Sequence, residues 1–90
     1  MIFAIVAVDN PGALATAITG HYPLDHIQLA EGQWLVMDAK GTAKEVADKL
    51  GISQGANGGG LVIAVGGYYG RKAANLWEWI KVKSVQAANG

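Results

Sequence analysis

Ile27-Gln-Leu-Ala-Glu-Gly-Gln-Trp-Leu-Val-Met37 is the stretch that decides the fold. Ile27, Gln28 and Leu29 alternate apolar and polar as a half-exposed strand does. Glu31-Gly32 has the composition of a tight turn, and Trp34, Leu35, Val36 and Met37 resume as a second strand. The stretch predicts an antiparallel hairpin in the middle of the chain. A hairpin there breaks any simple strand-helix alternation and excludes an all-parallel sheet, because parallel neighbours need a crossover rather than a two-residue turn.

On the N-terminal side, residues 2–8 form an unbroken apolar run rich in β-branched side chains, the pattern of a central strand covered on both faces. Asn10-Pro11 then opens a helix, since Asn can cap and Pro at the first helical position lacks only a donor that would be orphaned anyway. Leu14, Ala17 and Ile18 form its inward stripe, and Gly20 with Pro23 stops it around His21 and Tyr22.

Beyond the hairpin, Thr42 followed by Glu45 is a capping box, and Ala43, Val46, Ala47 and Leu50 share one helical face. Gly51 supplies the left-handed stop. A glycine-rich loop over residues 55–60 reads as a flexible connector to a last apolar strand, Leu61 to Val65. Ala73, Leu76, Trp77 and Ile80 suit a helix over residues 71–82, although residues 77–85 also fit a strand.

The order of elements predicts an α+β domain of the ferredoxin-like split βαβ layout, a βαββαβ two-layer sandwich with an additional C-terminal helix or strand. Its sheet order would be fourth, first, third, second, with all neighbours antiparallel. The domain is expected over residues 1–85, with a frayed tail at 86–90. That layout puts Asp9, the Glu31-Gly32 turn and the glycine loop at one end of the sheet. It puts His21, Tyr22, Asp25, His26, Asp38, Lys40 and residues 68–72 at the other.

Composition narrows the function. The 90 residues are 51% hydrophobic and 16% charged, so the chain has the means to build a core and lies far from intrinsic disorder. Seven basic side chains balance seven acidic ones, which removes the basic footprint expected of a nucleic-acid binder. Without cysteine there is no disulfide, thiolate metal site or cysteine nucleophile. The opening apolar run ends at Asp9, well short of the roughly 20 residues of a membrane span, and no basic segment precedes it. A cytoplasmic protein with no membrane association is expected.

Three groups of residues are candidates for function. In Gly66-Gly-Tyr-Tyr-Gly-Arg-Lys72, glycines lead from a strand end to an expected helix start, where bare amides and the helix dipole favour an anion. Arg71 and Lys72 in a first helical turn would oppose the dipole unless a negative guest relieves them. Tyr68 and Tyr69 offer stacking area for a base. The loop is one residue short of a Walker A motif, and no Ser or Thr follows Lys72 to hold magnesium. An exposed glycine turn with solvated cations is the structural alternative.

Second, Trp77, Trp79 and Val82 form an apolar, Trp-bearing tail. Residues 71–90 carry four basic side chains against one acidic, whereas residues 1–70 carry three against six. Two indoles spaced by two point to different helix faces, so one is expected to remain for a partner surface; the alternative is that the terminal helix lies back over the same sheet and buries both. The last strand, apolar and at an edge, also needs cover. Third, His21, Asp25 and His26 are the only residues that suggest a metal-assisted enzyme, and their spacing matches no metal motif.

Residues 42–53 resemble the first helix and turn of a helix-turn-helix motif, but the residues that follow are rich in glycine and lack Lys and Arg. They offer neither a recognition helix nor phosphate contacts. The expected protein is therefore a non-catalytic regulatory or sequestering module, without cofactor or metal. It would bind a phosphate-bearing, nucleotide-like ligand at Gly66 to Lys72 as a homo-oligomer through its fourth strand and C-terminal segment, with Trp77, Trp79 and Val82 at the interface. The alternative is an inhibitor or adaptor that uses its Trp and Tyr side chains as protein-binding anchors.

Overall fold

The computed structural model of the chain describes residues 1–67 and 74–89, with the side chains of the last helix described over 76–83. Its elements are β1 (Ile2–Ala7), α1 (Pro11–His21), β2 (His26–Ala30), β3 (Gln33–Met37), α2 (Ala43–Lys49), β4 (Gly60–Ala64) and α3 (Ala74–Asn89). The domain is α+β, with a four-stranded antiparallel open sheet in the order β2-β3-β1-β4.

Local chemistry explains most of the boundaries. The Asn10 side chain accepts the Ala13 N–H at 3.2 Å, and Pro11 occupies the first turn of α1. Gly20 does not stop the helix. It is helical itself, and the Tyr22 N–H closes the last turn on the Ile18 carbonyl one residue after His21. Thr42 and Glu45 exchange side-chain and backbone bonds at 3.2 Å each, completing the capping box of α2. Gly32 takes φ +78 in the hairpin turn, and Ala30 pairs with Gln33 across it.

The sheet builds two cores, one on each face. Phe3 and Ile5 of β1 and Trp34 and Val36 of β3 face α1 and α2. There they pack with Leu14, Ile18, Tyr22, Val46 and Leu50. Ile2 and Leu35 point the opposite way and pack with Leu76 and Ile80 of α3, joined by Ile27, Leu29, Met37 and Val65. The expected two-layer sandwich is corrected here. The C-terminal addition is a helix, and it covers the face opposite α1 and α2. The cause lies in β1, whose apolar run has no polar residues on alternate positions and so presents two apolar faces, each needing cover.

Helix α3 also corrects the expectation of a spare indole. Leu76 and Ile80 mark the centre of its buried stripe, and at about 100° per residue Trp77 and Trp79 fall some 80° to either side of that centre. Both are half-buried, and both pack against the second core. A helix lying on a broad sheet reaches it with both flanks. Val82 falls on the far side and is 47% exposed.

The glycine loop is pinned. Gly59 donates its N–H to Asp9 Oδ1 at 2.8 Å, Val8 donates to the Gly59 carbonyl at 2.9 Å, and Asn57 Nδ2 donates to the Leu50 carbonyl at 2.8 Å. Gly58 has φ +84, and a Cβ there would run into the Asp9 carboxylate. The region after α2 turns and then enters β4, so no second helix of a helix-turn-helix forms. Among the described residues no helix is long and apolar enough to cross a membrane.

The two cores set a stability expectation. Leu14→Ala, which opens a cavity at a fully buried position, should lower the unfolding free energy by about 2–5 kcal/mol in a urea titration. Val82→Ala, on the outward side of α3, should change it by less than about 0.5 kcal/mol. Equal effects at the two positions would mean that α1 does not seal the first core.

Candidate functional site

Among the described residues, the polar side chains divide between the two ends of the sheet as expected. At one end lie Asp9, the Gly32 turn and the glycine loop. The Ala7 N–H bonds the Gly32 carbonyl at 2.8 Å, and Asp9 holds Gly59. At the other end Asp38 is the hub. Its Oδ2 accepts the Tyr22 hydroxyl at 2.8 Å and Lys49 Nζ at 3.2 Å, while Oδ1 accepts the backbone N–H groups of Lys40 at 3.1 Å and Gly41 at 2.8 Å. The Asp38 carbonyl accepts the N-terminal amine at 2.9 Å, and its own N–H donates to the Met1 carbonyl at 3.1 Å. Lys49 Nζ also lies 5.3 Å from the Tyr22 ring centroid.

This arrangement determines the protonation states. Burial alone would raise the Asp38 carboxyl, but the hydrogen bonds from Tyr22, Gly41, Lys40 and Lys49 outweigh it and hold the group at about 2, below its ordinary 3.8. Burial, and then the hydrogen bond and charge of Asp38, push the Tyr22 phenol well above its ordinary value. A carboxylate whose two oxygens already accept four donors is poorly placed to take a proton from a substrate. A phenol kept protonated makes no nucleophile. The cluster acts as a latch joining the end of α1, the end of β3 and the end of α2.

Two of the three residues of the metal-assisted reading, Asp25 and His26, have other partners. The Asp25 Oδ1 accepts Lys83 Nζ at 2.8 Å, tying α3 to the entry of β2, and the Asp25 carbonyl accepts the Met37 N–H at 2.8 Å. His26 Nδ1 lies 2.6 Å from the Tyr22 carbonyl, so that nitrogen carries the proton. His21 is exposed at the end of α1. Among the described residues no three His, Asp or Glu side chains gather as a metal site would require.

Of the phosphate-site candidates, Gly66 and Gly67 lie just beyond β4, and Tyr68, Tyr69, Gly70, Arg71 and Lys72 lie outside the described residues. Gly66 and Gly67 are exposed, and among the described residues a Cβ at either would meet no heavy atom within 4 Å.

The remaining distinctive surface is the β4 side of the face that carries α3. In the pairing of β1 with β4, Ala4 stands opposite Ile63 and Val6 opposite Leu61, all directed to that face. Helix α3 comes closest to β1 and shares its core with Ile2, Leu35, Ile27, Leu29 and Met37. Leu61 stays 56% exposed, Ile63 50% and Val8 67%, with Val6 half-buried among them. Val62, pointing the other way, packs against the first core. The sequence shows β4 only as a run of apolar residues. Which of them would be left bare depends on where α3 comes to rest.

The Asp38 latch carries a pH signature. Because its folded value is depressed, its contribution to stability is complete above about 3.8 and disappears as pH falls toward about 2. Thermal unfolding of the wild type should therefore fall through that window, and Asp38→Asn should show a shallower acid limb from a lower plateau. Parallel acid limbs in the two proteins would remove Asp38 from this role. No family model, curated protein or solved structure matches the chain.

Proposed function

We propose that this chain is a small protein-interaction module without catalysis of its own, and that its working surface is the β4 edge with the apolar strip of Leu61, Ile63 and Val8. The observation that carries the reading is the side-by-side exposure of two large aliphatic side chains on an edge strand. Contiguous apolar surface and unpaired strand edges are what a polypeptide partner can cover. The strand order and antiparallel pairing support a ferredoxin-like layout, in which β4 is an edge. The outer face of α3, with Val82, and the half-buried Trp77 and Trp79 are accessory surface in this reading.

A photo-crosslinking side chain at position 63 tests it, both in the purified protein and in a lysate of its source. Adducts with a polypeptide are expected in at least one setting, and far fewer from the same group at exposed Gln54. Absence of adducts at 63 in both settings would overturn the reading.

The open backbone at Gly66 and Gly67 favours a second reading, a phosphate-bearing small ligand held by Gly66 to Lys72 with Tyr68 or Tyr69 stacked on it. Inorganic phosphate and simple nucleotides should then raise the thermal midpoint, and Arg71→Ala should abolish that rise. A midpoint unmoved by every such anion would exclude the site.

A further inference from the structure

The two edges of the sheet are built differently. On β2 the register slips between Gln28 and Ala30, the Gln28 amide folds back to donate to the Ala30 carbonyl at 3.2 Å, and the His26 ring is bound to Tyr22. A bulge and side chains that use up local acceptors are how edge strands are blunted against unwanted pairing. On β4 the pairing with β1 runs without a slip from Gly60 to Ala64. The chain contains no charged residue and no proline from Leu50 to Gly70, so the usual guards of an edge are missing.

The direction of the free backbone groups follows from the hydrogen bonds to β1. Val65 donates to the Ile2 carbonyl at 2.9 Å, and the Gly59 carbonyl accepts from Val8 at 2.9 Å. Bonded pairs recur every second residue in an antiparallel ladder. Residues 59, 61, 63 and 65 therefore turn their N–H and C=O groups toward β1, whereas Gly60, Val62 and Ala64 turn theirs outward. Among the described residues no strand lies beyond them.

We propose that the partner covering this edge is a second copy of the chain, its β4 paired antiparallel to the first about a twofold axis at Val62. This rests on the interaction-module reading and names its partner. In that register Val62 faces Val62 and Gly60 faces Ala64, so the outward groups of both copies bond one another. Leu61 of each copy sits beside Ile63 of the other on the same face, at the short cross-strand spacing where aliphatic pairs stabilise a sheet. The choice of a second copy follows from charge and shape. The edge offers no charge for a charged partner to pair with, the chain is neutral overall so that copies do not repel, and a flat apolar edge is its own complement under a twofold operation.

Sedimentation equilibrium of the full chain at micromolar concentration is the test. Wild type should sediment at twice its 9.3 kDa mass. Ile63→Lys, which places a charge in the strip, should sediment as a single chain with unchanged far-ultraviolet circular dichroism. Ala64→Pro should do the same, because it removes only an outward N–H and leaves the ladder to β1 intact. The Val62 amide should exchange with solvent at least tenfold more slowly in wild type than in either variant.

A dimer that persists in both variants would overturn the edge as its interface. Wild type at single-chain mass, with position 63 still crosslinking to another polypeptide in the lysate, would overturn self-pairing alone and leave the interaction module standing. No crosslink in either setting would overturn both.

Discussion

β1 is the constraint on which everything else depends. It has a strand on each side, β3 and β4, and an apolar core on each face. Each backbone group of a strand in that position must be met by a neighbour, and each side chain by a covering element, because buried polar groups without partners and apolar side chains in water are both unfavourable. The other elements answer those demands. β3 and β4 complete the ladder, α1 and α2 cover Phe3 and Ile5, and α3 covers Ile2.

Coverage of the second face is incomplete, and this gives the surface its character. One helix spans less of a four-stranded sheet than two. Helix α3 comes closest to β1 and packs in one cluster with Ile2 and Leu35, joined by Met37, Ile27 and Leu29, and Lys83 fastens it to Asp25 at the entry of β2. The β4 half, with short Ala4 and Val6 beside it, is left with Leu61 and Ile63 in contact with solvent. An uncovered apolar strip thus arises from the mismatch between the width of the sheet and the width of its cover.

Three carboxylates among the described residues are used in assembly. Asp38 gathers a phenol, an ammonium and two backbone donors, and Asp25 takes Lys83. Asp9 secures the turn that feeds β4. These three carboxylates lie where a strand begins or ends, the places where backbone donors go unpaired and the chain must be turned.

Much of this was legible in the order of residues. Asn10-Pro11, the Thr42 and Glu45 capping box and the Glu31-Gly32 turn act within a few residues of themselves, so their outcome is fixed by local bonding and shows in the sequence. The apolar run of β1 announces a strand buried on two sides because its pattern has no polar phase. The partnership of Tyr22, Asp38 and Lys49 was not legible. Those residues lie on three elements and meet only once the sheet order brings the elements together. Nor did the sequence decide between a spare indole and the packing of both Trp77 and Trp79 on the core, which depends on the surface beneath α3 rather than on the helix alone. Local propensity and period therefore determined the elements and their order. Only tertiary packing, which sets the position of each element against the others, decided which face α3 covers, which carboxylates are latched and which side chains of β4 meet water.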